Sequence, residues 1–472
     1  MDQILYWNAV ALESDRLAHT DLNPVERGSC GPAGSSRALA IVHLAMHDAI
    51  FSIFGAPHGT WLTTPPVAAN GSAPAAAIAV AAHCTLTTLY PAQTARLDRA
   101  LRESGLHGPG TGRGGTHGQA IGRAVLAARR GDPGLDDSGH RPGAAPPSHR
   151  PDPVNPKQGY YAPDYGARSG CFAATDRYTL DPPPKTNGAR YLTALREARA
   201  KGIAPEQLAT IPAVYPPRTP AETLAGIYWA YDGSRRLGSP PRFYNRIARE
   251  IAVARGNDIE QNARLFALVN TAMADAGILC WDEKYRHDRW RPILGIREHD
   301  PAMGPCAAPG RELEPGCDPG WQPHGAPRSN EIAANFTPPS PAYPSGHAAL
   351  GAAAFQTIRR FYDSAGDGPD SLTDGMAFVS EELDGETTDQ HGVQRPRHLR
   401  RFPGGLWQMM EENGRSRVFL GVNWSSDAFA VDADGGMDLS RNIGGVRLGR
   451  DVADDLWTHG LRQAQAAGPR LP

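Results

Sequence analysis

Three short segments carry residue types able to do chemistry. In Trp281-Asp-Glu-Lys284-Tyr-Arg-His-Asp-Arg-Trp-Arg291-Pro292, Lys284 and Arg291 stand seven positions apart. Seven residues are close to two helical turns, so the spacing predicts both cations on one helix face. Pro292 then predicts the helix end, with Arg291 on the last turn. Alone, such a pair reads as a solvated face. In Phe336-Thr-Pro-Pro-Ser340-Pro-Ala-Tyr-Pro344-Ser345-Gly346-His347-Ala348, Pro344 and Ser345 mark a helix start, which the apolar run 348–355 continues. A helix N-terminus presents free N–H groups and a partial positive charge, a seat for an anion. Gly346 lets the backbone approach a ligand, Ser345 offers a hydroxyl, and His347 supplies or removes a proton near neutral pH. Gly414-Arg-Ser416-Arg417-Val-Phe-Leu-Gly421-Val-Asn423-Trp424-Ser-Ser-Asp427 adds a third cation, Arg417, and places Asp427 four residues after Asn423. Three cations and a helix terminus together would stabilise a multiply charged tetrahedral or trigonal-bipyramidal oxyanion.

The elements that must position these groups read as helices. Ser35-Ser36 followed by the apolar run to Phe51 predicts a capped, buried helix. Further helical patterns cover 73–89, 118–129, 189–200, 221–231, 242–255, 258–281, 346–362, 406–419, 426–433 and 446–466. Two Pro/Gly-rich stretches, 131–184 and 300–344, have no period and read as long loops, the first wrapped over the body. The alternating runs that a sheet needs are absent. The expected architecture is an all-α helical bundle, one compact unit over 1–472 with two four-helix-bundle-like halves. Its expected parts are N-terminal helices at 30–130, an irregular loop at 131–184, and a bundle at 185–472 carrying the site at 281–430.

Lys-x6-Arg-Pro, Pro-Ser-Gly-His and Ser-Arg-x3-Gly-x-Asn-x3-Asp, in that order, resemble the signature shared by vanadium-dependent haloperoxidases and type-2 acid phosphatases. The resemblance is close over 281–430 and looser at 34–52 and 226–251, where Tyr228-Trp-Ala-Tyr-Asp-Gly and Pro240-Pro-Arg-Phe-Tyr look familial. In detail the chain is most similar to bacterial chloroperoxidases of meroterpenoid biosynthesis. The resemblance implies that Lys284, Arg291 and Arg417 bind vanadate or phosphate oxygens. It also implies that Ser345 and the Gly346 N–H complete the cradle, that His347 is the acid/base, and that Asp427 supports the last motif from behind. Ser340 stands where fungal chloroperoxidases carry an aromatic, which implies more room for an organic substrate.

One position departs from the pattern. The family places at 423 a histidine that bonds vanadium or becomes the phosphohistidine; this chain has Asn423. An amide oxygen is a feeble ligand for vanadium and no nucleophile toward phosphorus. Phosphatase turnover through a phosphoenzyme is therefore excluded unless another group substitutes, and vanadate binding is expected to be weakened, with phosphate as an alternative occupant. His391 and His398, in the polar loop upstream, are the candidates for a replacement, against a plainer reading as surface histidines. Three functions follow. The first is a vanadate-independent, non-halogenating isomerase or rearrangement enzyme acting on an aromatic or terpenoid intermediate. The second is a vanadate-dependent chloroperoxidase using hydrogen peroxide and halide. The third is a binding protein without turnover.

The rest of the sequence narrows the partners. The chain has 472 residues, 40% hydrophobic and 21% charged, with a net charge of -2. That charge gives no global attraction to nucleic acid or to an anionic membrane, and Arg123, Arg129 and Arg130 are too few for a nucleic-acid patch. An uncharged apolar run of roughly 18 residues, enough to cross a bilayer, is absent. The N-terminus lacks a basic and apolar leader, so a cytoplasmic location with reduced thiols is expected. Cys306 and Cys317 share a loop and are the one pair read as able to bridge. His43 and His47 have i, i+4 spacing but lie in an apolar run, and read as satisfied core histidines. The partners expected are a small aromatic or terpenoid substrate and, from the resemblance, a second copy of the chain in a homodimer.

Overall fold

In the computed structural model, the described residues are 1–21, 23–299, 316–364, 366–432 and 434–471. Five helices make up the N-terminal part: α1 (Gln3–Asp21), α2 (Gly31–Phe54), α3 (Pro74–Leu89), α4 (Thr94–Glu103) and α5 (Thr111–Ala128). The middle holds α6 (Tyr165–Arg168), α7 (Ala189–Lys201), α8 (Pro220–Tyr228), α9 (Pro240–Arg255), α10 (Ile259–His287) and α11 (Pro292–Arg297). Then follow α12 (Gly346–Phe361), α13 (Gly405–Phe419), α14 (Ser425–Ala428) and α15 (Gly445–His459). Strand content among the described residues is two antiparallel pairs, Phe378–Val379 with Leu399–Arg400 and Ala430–Val431 with Met437–Asp438. The all-α expectation holds.

The helix α10 is the axis of the fold, and its residues enter both large apolar cores. A capping box starts it: Asp258 accepts from the Gln261 amide at 2.8 Å, and Gln261 accepts from the Asp258 amide at 2.9 Å. By length and composition α2 and α10 are each apolar enough to cross a membrane, yet 78% and 94% of their apolar windows are packed inside the protein. The helix α15 lies flush on α12. A Cβ at Gly445 would stand 2.3 Å from the Ser345 carbonyl oxygen, and one at Gly449 would stand 2.2 Å from that of Ala349. Only glycine permits that approach.

Two local expectations need correction. Ser35 and Ser36 do not cap α2; the helix begins four residues earlier, at Gly31, and both serines are buried inside it, with Ser35 bonded to Asp15 at 2.5 Å. Arg291 is not on the last turn of the Lys284 helix. That helix stops at Asp288, in the left-handed region with φ 46°, and Arg291 is the N-cap of α11. The helices α1 and α4 lie outside the expected set. The 131–184 stretch does wrap the body: the amides of Phe172, Ala173 and Ala174 donate to the buried Asp275 carboxylate at 2.5, 2.9 and 2.8 Å. The Cys306–Cys317 pairing lies outside the described residues.

Candidate active site

Chain breaks, rather than one helix face, bring the three segments together. Lys284 ends α10; the turn at Asp288 sends the chain back so that Arg291 faces the same point from α11. Ser345 caps α12, its hydroxyl 3.4 Å from the Ala348 amide, and its own amide donates to the Asp427 carbonyl at 2.7 Å. Arg417 comes from the last turn of α13, and Asn423 from the turn before α14.

These segments close one end of a cavity of about 430 Å³. Lys284, Arg291, Ser340, Gly346, His347, Arg417 and Asn423 line it. Ser345 and Asp427 do not; both stand fully buried behind the lining. Gly346 packs closely here, where a Cβ would press on the Trp281 ring at 3.2 Å. His391 and His398 do not reach the cavity, and His391 borders a different cleft. His43 and His47 are the core histidines expected, bonded to Leu39 and Asn8 and to Asp48 respectively.

Every cation at the site already has protein partners. Lys284 Nζ donates to the carbonyls of Pro341 at 2.7 Å and Ala342 at 3.3 Å. Burial pushes its pKa down to about 7, with Arg291 and Arg417 adding to the fall against Cys280 and Asp427. Arg291 donates to the carbonyls of Ser340 and Val422, each at 2.8 Å, to the Ser340 hydroxyl at 3.2 Å and to Asn423 Oδ1 at 3.1 Å. Arg417 forms a two-pronged pair with Asp232, at 2.9 and 2.6 Å.

His347 donates from Nε2 to the Ala230 carbonyl at 2.6 Å. A carbonyl only accepts, so Nε2 carries the hydrogen and Nδ1 is the basic nitrogen. Burial first, then Arg417, pushes the ring down to about 3, against Asp232 and the Ala230 bond, so the imidazole is neutral. Asp232 Oδ1 lies 3.9 Å from Nε2. Sequence reasoning missed Asp232. The Tyr228–Gly233 segment had been singled out, but nothing local to it tells of a partner 185 residues away.

Asn423 is fully committed. Its Nδ2 donates to the Ala342 carbonyl at 2.8 Å and to Asp427 Oδ2 at 2.9 Å, while its Oδ1 accepts from Arg291. Asp427 Oδ2 also accepts the Trp424 amide at 2.8 Å, its Oδ1 has no partner, and burial pushes its pKa up. The charge of the cradle suits an oxyanion. The residue at 423 does not suit a bond to vanadium. Away from the cradle the cavity wall is apolar and aromatic, from Tyr161, Tyr231, Trp281, Phe336 and Pro338, with Arg328 stacked on Phe336 at 4.3 Å.

Residues 1–103 match the family described as the vanadium chloroperoxidase N-terminal domain, and residues 264–465 match that of the VCPO second helical-bundle domain. The vanadium chloroperoxidase of Curvularia inaequalis is 33% identical, with 97% of this chain and 90% of that protein aligned. In fold the chain is similar to the crystal structure of a bacterial vanadium-dependent iodoperoxidase, with TM-score 0.61, 17% identity and 96% of each chain covered. It is similar also to an apo-type bacterial vanadium-dependent chloroperoxidase, with TM-score 0.60, 16% identity, and 91% of this chain and 94% of that one covered.

Proposed function

The chain belongs to the vanadium chloroperoxidase family, and from that premise we propose that it is a member whose cradle works without vanadate. On this reading it isomerises or rearranges an aromatic or terpenoid intermediate by acid/base chemistry and does not halogenate. The observation that carries the reading is the state of Asn423: both ends of its amide are held by protein partners, and its oxygen is turned onto Arg291. The group that the family binds thus has no ligand at the expected position. Vanadate binding is weakened, and phosphate is an equally suitable occupant of the cationic cradle.

The residues supply a base and an acid, and the cycle closes when protonated His347 gives its proton back, by way of solvent, to Lys284. With an α-hydroxyketone in the cavity, His347 Nδ1 takes the hydroxyl proton, and the oxygen's electron pair forms a new carbonyl. The migrating substituent moves with its bonding pair to the neighbouring carbonyl carbon, whose oxygen becomes an alkoxide. Lys284, with its pKa at about 7, stabilises that charge and returns a proton, so the product is an isomer of the substrate. Negative charge developing on the substrate also raises the basicity of His347. The aromatic wall and Ser340 accommodate the organic body. A small-molecule substrate, a cytoplasmic setting and a homodimer belong to the same proposal.

The alternative is a vanadate-dependent chloroperoxidase, favoured by the retention of Lys284, Arg291, Arg417, Gly346 and His347 around one cavity. The two readings separate on turnover of an aromatic α-hydroxyketone by the purified protein. Rearrangement without peroxide, halide or vanadate, lost in His347→Ala, supports the isomerase. Turnover that appears only with all three added overturns it.

A further inference from the structure

A second basic cleft lies at the other end of α10. Arg264, in its second turn, borders a cavity of about 260 Å³ together with His47, His58, Trp457, His459 and Arg462. The cleft is built by α2, the loop after it, the start of α10 and the end of α15. No acidic residue lines it among the described residues.

The charge there is uncompensated. Arg264 is half-buried, packs 5.7 Å from the Trp457 ring and donates from Nη1 to His58 Nδ1 at 2.7 Å, a neutral acceptor rather than a carboxylate. That bond fixes the hydrogen of His58 on Nε2. Burial and then Arg264 hold the His58 pKa down to about 4, so the ring adds a donor without adding charge. Arg462, exposed at the rim, has no carboxylate partner among the described residues. The acids paired with the two other lining histidines are committed elsewhere. Asp48 accepts the amides of Trp61 and Leu62 at 2.7 and 2.8 Å and pairs with His47; Asp455 accepts the Thr175 amide and hydroxyl at 2.6 and 2.8 Å and pairs with His459.

The geometry points to a second anion site, in which Arg264, Arg462 and His58 bind a phosphate-type oxyanion, either free or as the head of a phosphomonoester. Two guanidiniums suit such a group because their N–H pairs match its oxygens. His47 and His459 also line the cleft, each ring held by its own aspartate, Asp48 at 3.0 Å and Asp455 at 2.6 Å. Twenty residues of α10 separate Arg264 from Lys284, about 30 Å at 1.5 Å per residue, so this cleft is distinct from the cradle.

Calorimetric titration with inorganic phosphate tests it. Lys284→Met weakens the cradle and leaves one phosphate bound in this cleft; adding Arg264→Gln and Arg462→Gln weakens that binding at least tenfold. The site is overturned if the Lys284→Met protein binds no phosphate, or if the two arginine changes leave its binding unaltered. Crystals of the unaltered protein soaked in tungstate give a check that needs no variant: an anomalous peak between Arg264 and Arg462 supports the site, and a peak in the cradle alone overturns it. Phenyl phosphate separates the two sources, since a phosphomonoester head binds with its ring at the mouth, whereas a site for the free ion excludes it.

Discussion

Arg291 donates to Asn423 across 3.1 Å, and this one bond ties a cation of the cavity to the residue at the position where the resemblance places a histidine. A histidine at 423 would instead turn a ring nitrogen to the cradle and release part of the Arg291 fork to an oxyanion. Asn423→His is therefore expected to tighten vanadate binding by at least about 10–100-fold, the size of effect seen when even an outer partner of a metal ligand changes. Isothermal titration of both proteins reads this directly, and equal affinities would remove Asn423 from the explanation.

His347 carries the base role, so His347→Ala should lower turnover by about 10²–10⁴-fold, the usual contribution of a positioned acid or base. His347→Gln keeps a donor to the Ala230 carbonyl and should be as inactive but better folded. An active glutamine variant would show that the ring only holds the backbone.

Lys284 gives a pH dependence with a definite sign. Its folded pKa, about 7, lies below its unfolded value of 10.5. Between those values the unfolded chain binds more protons, so stability rises with pH over that window, by up to about 1.4 kcal/mol per unit. Below about 7 the cost of the buried charge is present in full. The slope should be shallower in Lys284→Met, measured as the difference in urea stability between pH 7 and 9. Phosphate affinity for the cradle should move the opposite way, falling as pH rises past the point where Lys284 loses its proton.

Asp232→Asn leaves Arg417 buried without its counter-charge. Breaking a buried pair in this way costs about 3–5 kcal/mol. Added phosphate should recover part of that loss by pairing with the stranded guanidinium, which thermal melts with and without phosphate would show. A loss that phosphate leaves unchanged would place Arg417 outside the anion's reach.

Much of the fold was legible because helices announce themselves locally. The starts at Pro74, Ala189 and Gly346 fall within a residue of their expected places, where proline, serine or a sharp change of period marks the boundary. Motif order picked out residues that line one cavity, yet the geometry behind the spacing was not legible. The interval from Lys284 to Arg291 fits two helical turns, but the chain crosses it through a left-handed residue, Asp288, whose short polar side chain tolerates that conformation. Asp232 and the Arg264 cleft escaped for another reason: their partners come from segments distant in the chain, and no local pattern encodes such a meeting.

The Ser345 amide, held by the Asp427 carbonyl, joins the start of α12 to a residue 82 positions later, while Asp427 also grips Asn423 and Trp424. That amide can exchange its hydrogen with solvent only when both segments part. Its exchange should therefore follow unfolding of the whole unit rather than fraying of a helix end. A fragment ending before residue 427 would lose the bonds that hold Ser345, Asn423 and Trp424 in place, however well its helices formed.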